Sequence, residues 1–156
     1  LGRQGVVLAA PLQNLLRAYL TKLPPVTGGP RVLLTTVPGE QHTLGLLCAQ
    51  CLLAGRDAAC TSLGAQTPLA DIRQILQSGR YDVLLLAFSS AFPARRALAA
   101  LQELATSLPP GSEIWAGGRH LADKPCEIPG LRYLASMADT LQTLDDWRKK
   151  ALPRTD

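Results

Sequence analysis

The sequence predicts an α/β domain: a five-stranded parallel sheet with helices on both faces, in a flavodoxin-like (Rossmann-like) arrangement. Three observations predict it. From residue 32 onward, short apolar segments alternate with longer segments of helical periodicity, which is the pattern of successive βαβ units. Aromatic residues make up only 4% of the chain, so leucine, alanine and valine must fill a core of buried strands and helix faces. The length of 156 residues suits one such core.

An amphipathic helix over residues 7–23 is the first predicted element, because its apolar residues recur at helical spacing. Pro24 and Pro25 end it, and the Gly- and Pro-rich residues 26–30 separate it from the first strand. We therefore predict a residual N-terminal helix, the end of a helical bundle, with a linker over residues 1–25, and the α/β domain over residues 26–156. The chain begins with Leu1 and not with methionine, which suggests a fragment of a longer protein.

The first half of the α/β domain predicts two strands, the first of them buried, each followed by a loop and a helix. Gly55 ends the first of these helices, and the second ends near Gly79. The loops that follow these strands contain the candidate ligand-binding residues, so these residues are expected at the carboxyl ends of the strands. The predicted strands are 32–36 and 58–63, and the predicted helices are 44–53 and 69–77.

The second half repeats the alternation. Its first strand is the most apolar of the chain, and Pro93 can stand in the first turn of the next helix. Three basic residues in the last turn of the final helix complement the helix dipole. Because parallel connections are right-handed, we predict the strand order 2-1-3-4-5. The predicted strands are 82–88, 113–116 and 131–134, and the predicted helices are 93–107 and 137–151.

The composition argues against several classes of function. The net charge is +4, but no basic segment carries interleaved aromatic residues, so we expect no nucleic-acid binding by this chain itself. No segment has the pattern of a signal peptide or the apolar length of a membrane span. We therefore expect a reduced cytoplasmic protein without structural disulfides. Cys48 and Cys51 form a C-x-x-C pair within an apolar helical segment, which predicts burial and not a redox or zinc site.

Ligands of doubly wound sheets bind beyond the carboxyl ends of the strands, and the loop after the first strand contains Glu40 and His42. Imidazole is a common ligand of first-row transition metals, and a metal-bound histidine usually donates its other ring N–H to a carboxylate. Gly45 leaves room for a large ligand close to the backbone, as do Gly117 and Gly118 after the fourth strand. We expect a plain surface role for the second histidine, His120. By itself, this loop predicts only a histidine beside a carboxylate.

The sequence of residues 40–45, EQHTLG, resembles the D-x-H-x-x-G signature of cobalamin-binding domains, with Glu40 in place of aspartate. Residues 87–89, AFS, correspond to the S-x-L motif of that family, and Gly117-Gly118 corresponds to its third motif. Residues 38–45 and residues 63–69 (LGAQTPL) are similar to the cobalamin-binding portion of MerR-type, light-responsive transcription regulators. The resemblance covers residues 30–150.

The resemblance implies a mechanism. His42 would replace the cofactor's benzimidazole as the lower axial ligand of cobalt, and Glu40 would orient it. The upper ligand would be adenosyl, whose photolysis would change assembly and DNA binding. The DNA would be contacted through an N-terminal domain outside this chain, and the assembly would be a homo-oligomer. The protein would supply ligation and packing while the photochemistry belongs to the cofactor. The cofactor-binding residues implied by the resemblance are Glu40, His42, Gly45, Gly64, Thr67, Ser89, Ser90, Gly117 and Gly118.

Two other hypotheses remain open. The chain could be the cobalamin-carrying domain of a methyltransferase or mutase, although the residues suggest no catalytic group and we expect no enzyme activity from the chain itself. It could also be a haem-binding or cofactor-free module of the same fold, because Ala87 and Ser89 depart from the family's S-x-L motif.

Overall fold

The computed structural model describes residues 2–123 and 125–152, with side chains described from residue 10 onward. The strands are β1 (Arg31–Thr35), β2 (Ala59–Ser62), β3 (Val83–Ala87), β4 (Glu113–Gly117) and β5 (Leu131–Leu134). The helices are α1 (Gly2–Thr21), α2 (Leu44–Ala54), α3 (Leu69–Gln77), α4 (Ala94–Ala105), α5 (Arg119–Ala122) and α6 (Met137–Ala151).

The five strands form one parallel sheet in the order β2-β1-β3-β4-β5, which confirms the predicted fold class and strand order. β1 lies between β2 and β3, with Val32 opposite Cys60 on one side and Val83 on the other. The chain order reverses at β1, so the loops after β1 and β3 flank the switch point. In sheets of this type that crevice is where ligands bind.

The central strands are buried on both faces. Leu33 and Leu84 belong to the core that α3 and α4 cover, while Leu34, Leu85 and Trp115 belong to the core beneath α2 and α6. Each of these five side chains is at most 1% exposed. Successive strand residues point to opposite faces, so a strand covered on both sides must be apolar throughout, which explains the continuous apolar sequence of β3.

α1 packs along α2. Tyr19 approaches α2 so closely that a Cβ on Gly55 would stand 2.6 Å from its hydroxyl, and the Sγ of Cys51 donates to the carbonyl of Leu16 at 3.6 Å. The predicted bounds of 7–23 are wrong at both ends. The helix contains Pro11 and begins at Gly2, and it ends at Thr21 because residues directly before a proline avoid the helical conformation.

Two helix ends differ from the prediction in their backbone. Gly55 follows α2 as predicted, but it has a right-handed φ of −64°, and Asp57 takes the left-handed conformation at φ 65°. The Asp57 carboxylate accepts hydrogen bonds from the backbone N–H and hydroxyl of Thr27 at 2.9 and 2.8 Å, which fixes the segment before β1. Pro93 lies at the N-cap of α4 and not inside its first turn.

The short helix α5 was not predicted, because four residues are too few to show helical periodicity. It directly follows Gly118. In the described part of the chain, no helix has both the length and the apolar composition that crossing a bilayer requires.

Candidate functional site

The loop after β1 places a buried carboxylate beneath an exposed imidazole at the switch point. Gly39 turns the loop with a φ of +91°, and the Thr36 hydroxyl donates to the carbonyl of Glu40 at 2.6 Å. Glu40 is 1% exposed, whereas the side chain of His42 is 67% exposed. The protein therefore holds the acid rigidly and presents the imidazole outward.

Both oxygens of Glu40 accept hydrogen bonds from the protein. Oε1 accepts from the backbone N–H of His42 at 2.9 Å and lies 2.7 Å from Nδ1 of the same residue. Oε2 accepts from the backbone N–H and the hydroxyl of Ser89 at 2.8 and 3.0 Å. An ionised carboxylate is an acceptor only, so Nδ1 must carry the proton of the shared hydrogen bond. Nε2 of His42 is then the nitrogen with a free lone pair, and it makes no hydrogen bond to the described residues.

The hydrogen bonds keep Glu40 ionised. Burial by itself raises the pKa of this carboxyl, but donors from the backbone and side chains of His42 and Ser89 outweigh it, and the pKa of Glu40 lies below its usual value of 4.5. The fixed negative charge beside Nδ1 orients the ring and makes Nε2 a stronger electron donor to a metal. The arrangement can therefore bind a metal through one imidazole.

Ser89 joins the loop after β3 to the loop after β1. Besides its two hydrogen bonds to Glu40, its hydroxyl lies 3.1 Å from Nδ1 of His42. The resemblance implied that Ser89 binds the cofactor, and the structure shows that Ser89 also supports the Glu40–His42 pair. Sequence analysis did not foresee this contact, because the residues lie 49 positions apart.

A cavity of about 230 Å³ opens beside His42 and runs between the sheet, α2 and the start of α6. Two glycines keep it open: no described atom lies within 4 Å of the place where a Cβ on Gly45 would stand, and a Cβ on Gly117 would approach only the Leu86 carbonyl, at 3.7 Å. The inner wall is largely apolar. Helices and strands contribute to it together, through Gly45, Ala49, Leu85, Gly117, Leu134 and Thr140.

Five of the nine predicted cofactor-binding residues line this cavity: His42, Gly45, Ser89, Gly117 and Gly118. Glu40 lies behind His42.

Gly64, Thr67 and Ser90 lie outside the residues that line the cavity. The Thr35 hydroxyl donates to the carbonyl of Gly64 at 2.9 Å and lies 2.6 Å from the hydroxyl of Thr67. These bonds tie the loop after β2 to the end of β1, which gives Gly64 and Thr67 a supporting role in the loops around the site. Contact of these three residues with a cofactor stays a prediction.

Four residues that sequence analysis did not assign to the site also line the cavity: Arg119, Ser136, Met137 and Thr140. Ser136 caps α6 by accepting from the backbone N–H of Asp139 at 3.3 Å. The S-x-x-D pattern after a predicted strand could have located this helix N-terminus at the carboxyl edge of the sheet. His120, predicted to have a surface role, is half-buried instead, with its Nε2 2.9 Å from the carbonyl of Phe92.

The burial predicted for the C-x-x-C pair is confirmed for Cys51 and holds in part for Cys48. Cys51 is buried and Cys48 half-buried on α2, and burial raises the pKa of both thiols above their usual value. A raised pKa suppresses the reactive thiolate.

Replacing Gly45 with alanine should have opposite effects on stability and on ligand binding. The methyl group fits the empty space, so it should stabilise the ligand-free protein by about 0.5–1 kcal/mol through helix propensity. The same methyl would press against a bound ligand, at a cost of about 1–3 kcal/mol. We expect a higher Tm without cofactor and a roughly tenfold weaker Kd. Gly55→Ala is the contrast, since its Cβ would clash with Tyr19; a gain in both stability and affinity for Gly45→Ala would contradict the prediction.

No protein-family model matches the chain. Among curated proteins, the HTH-type transcriptional repressor CarA of Myxococcus xanthus is 35% identical over 83 residues, which are 53% of this chain and 29% of CarA. The chain thus spans less than a third of the length of this relative.

Several solved structures share the fold, and two of them are described in turn. One is the methanol:cobalamin methyltransferase complex MtaBC from Methanosarcina barkeri, with a TM-score of 0.61, 15% identity, and coverage of 80% of this chain and 48% of that chain. The other is a cobalamin-binding protein from Desulfitobacterium hafniense, with a TM-score of 0.63, 17% identity, and coverage of 86% and 67%. The chain has the fold of cobalamin-binding domains. The resemblance to cobalamin-binding domains that the sequence indicated is confirmed for the fold. The chain is also related in sequence to CarA.

Proposed function

We propose that this chain is the cobalamin-binding sensory domain of a MerR-type transcription regulator and binds the cofactor base-off, with His42 as the lower axial ligand of cobalt. The observation that carries the proposal is the Glu40–His42 pair at the mouth of the cavity. The Nδ1 of His42 faces the ionised Glu40 and its Nε2 faces away from it, as in carboxylate–histidine metal sites.

The residues present fit a corrinoid. A corrin ring supplies the equatorial nitrogens of its metal, so a single imidazole completes the lower face. The cavity beside His42 has an apolar wall and two glycines at which the protein leaves space, and it would accept the displaced benzimidazole. His42 would hold the cobalt, Glu40 and Ser89 would orient the imidazole, and Gly45 and Gly117 would admit the tail. The bound cofactor would supply a light-sensitive cobalt–carbon bond.

The match to a transcriptional repressor favours a regulator over an enzyme. In this proposal the protein is cytoplasmic, adenosylcobalamin is the physiological ligand, and light is the signal. DNA would be bound by a part of the regulator outside these residues, and the chain would contribute to a change of oligomeric state. No catalytic residue is assigned to the chain.

A corrinoid carrier for a methyltransferase is the second candidate, favoured by the fold shared with the MtaBC complex. The same His42 site would serve both functions, because each needs a base-off cofactor. The two candidates differ in the upper ligand and in the partner.

Titration of the protein with cobalamin, followed by absorption spectroscopy, tests the proposed site. We expect saturable binding and the spectrum of a cobalamin whose benzimidazole has left the cobalt. A parallel titration with haem tests the alternative that the same site binds haem. Binding of haem with no binding of cobalamin would contradict the proposal.

Size-exclusion chromatography with adenosylcobalamin, in darkness and after illumination, separates sensor from carrier. A sensor is expected to change its elution volume upon illumination, with methylcobalamin giving a smaller change or none. Identical elution in darkness and in light would contradict the sensory proposal, while leaving cobalamin binding intact.

A further inference from the structure

Gln66, in the loop after β2, has a backbone conformation that its neighbours must hold in place. Its φ is 56°, in the left-handed region that disfavours every residue with a Cβ relative to glycine. Such a conformation persists only where the surrounding contacts fix it. The hydrogen bonds of Gln66 lead to the loop after β1, which carries His42.

Two groups of Gln66 bond to that loop. Its backbone N–H donates to the hydroxyl of Thr36 at 2.8 Å, and the same hydroxyl donates to the carbonyl of Glu40 at 2.6 Å. The side-chain Oε1 of Gln66 accepts from the backbone N–H of Gly39 at 3.2 Å. Bonds in such a chain polarise and strengthen one another. Gln66 therefore fixes the backbone on both sides of the Gly39–Glu40 peptide.

Gly39 is also confined by α4. Nη2 of Arg96 lies 2.7 Å from the place where a Cβ on Gly39 would stand. The guanidinium is itself held over the ring of Phe92, 4.9 Å from the centroid, in a cation–π arrangement. The loop thus has a bond to Gln66 and little space in the direction of Arg96, so its position depends on both contacts.

The exposure of these groups separates their effect on folding from their effect on the loop. Thr36 and Glu40 are at most 1% exposed, whereas Gly39 and Gln66 are exposed. Water can replace an exposed hydrogen bond, so removing the Gln66 side chain leaves no buried group without a partner. The consequence falls on the position of the loop, and binding residues work only when their supporting contacts hold them in the productive geometry.

We propose that Gln66 is a positioning residue, which fixes the loop after β1 so that His42 presents Nε2 to the metal before the cofactor arrives. Gln66 does not line the cavity, so it acts through the loop and not by contact with the tail of the ligand. This inference rests on the proposed function, because it assigns Gln66 an effect on ligation by His42.

The test measures cobalamin affinity by equilibrium absorption titration for Gln66→Gly and Gln66→Ala, each in the wild-type and in the His42→Ala background. Both variants should bind about three- to tenfold more weakly in the wild-type background, as expected for one lost hydrogen bond. In the His42→Ala background the same changes should alter affinity by less than about twofold, because a residue that acts through His42 has no effect without it.

The two substitutions differ in their effect on folding. Glycine adopts a positive φ without strain and alanine does not, so Gln66→Gly should have the higher Tm of the two. Equal losses of affinity at unequal Tm would show that binding follows the lost side chain and not stability. The spectrum of cobalamin bound to either variant should contain a larger share of the benzimidazole-bound form than with the wild type.

Two further variants complete the test. Gln66→Glu retains an acceptor for the N–H of Gly39 and should keep most of the affinity. Gln74→Ala is the matched control, since Gln74 is an exposed glutamine on α3, and its affinity should equal that of the wild type.

The outcomes are separable. Unchanged affinity in Gln66→Gly, or equal losses with and without His42, would overturn the role of Gln66 while leaving the cobalamin site in place. A wild type that binds no cobalamin, or a His42→Ala variant that binds it as well as the wild type, would overturn the proposed function and this inference with it.

Discussion

Replacing His42 with alanine is expected to weaken cobalamin binding by at least about 100-fold, the upper end of what loss of a supporting residue costs a metal site. If His42 binds the cofactor as proposed, the variant would lack the nitrogen ligand that the imidazole provides. The benzimidazole would then stay with the cofactor's metal and not enter the cavity, so the burial of its ring would be lost as well. Absorption spectra of the residual complex should show the benzimidazole-bound form, and affinity is measured by equilibrium titration.

His120→Ala is the matched control, because His120 bonds the carbonyl of Phe92 and does not line the cavity. Its cobalamin affinity and spectrum should equal those of the wild type. Added imidazole should partly restore the base-off spectrum of His42→Ala by occupying the vacated axial position. An unchanged spectrum and affinity in His42→Ala would contradict axial ligation by this residue.

Replacing Glu40 with glutamine is expected to affect both stability and affinity. The carboxylate accepts hydrogen bonds from four donors of His42 and Ser89, and the amide would turn one acceptor into a donor facing other donors. A buried donor without a partner costs about 1–3 kcal/mol, and loss of the carboxylate behind a ligating histidine costs about 10- to 100-fold in metal affinity. Urea unfolding and cobalamin titration measure the two effects.

The stability difference between the wild type and Glu40→Gln should depend on pH. The folded protein lowers the pKa of Glu40 below 4.5, so the unfolded chain binds a proton more readily than the folded one. The stabilisation is therefore complete above the unfolded pKa and is lost as pH falls through the folded pKa. The unfolding free energies should differ most at neutral pH and converge in acid; a difference that grows in acid would contradict this.

Glu40→Asp is the conservative control. It retains the charge but shortens the side chain, so it should remain an acceptor and lose less affinity than Glu40→Gln. If the two variants lose affinity equally, the length of the side chain and not its charge governs the orientation of His42.

Much of the architecture follows from local sequence. The apolar segments of β1 and β3 and the alternating amphipathic helices are repeating patterns, and handedness rules convert them into one sheet order. α6 was predicted with its observed bounds, Met137–Ala151, because its periodicity and its basic last turn are both local. α5 and the ends of α1 were not predicted, since a four-residue helix has no period and the start of α1 depends on how Pro11 is accommodated.

The candidate site divides in the same way. Glu40, His42 and Gly45 lie within one segment of six residues. Their spacing alone therefore placed a carboxylate, an imidazole and a glycine that leaves space for a ligand next to one another. Gly64 and Thr67 were grouped with them by motif, yet in the structure they contact Thr35 at the end of β1, and neither lines the cavity.

The sequence by itself determined the parallel sheet, the loop that carries the imidazole and the glycines beside it. Only the tertiary structure decided that Ser89 completes the hydrogen bonds of Glu40 and that Thr140 faces the cavity. The physical reason is distance along the chain. Ser89 reaches Glu40 because β3 pairs with β1, and Thr140 faces the cavity because α6 packs across α2 and the sheet; neither contact leaves a pattern in the neighbouring residues.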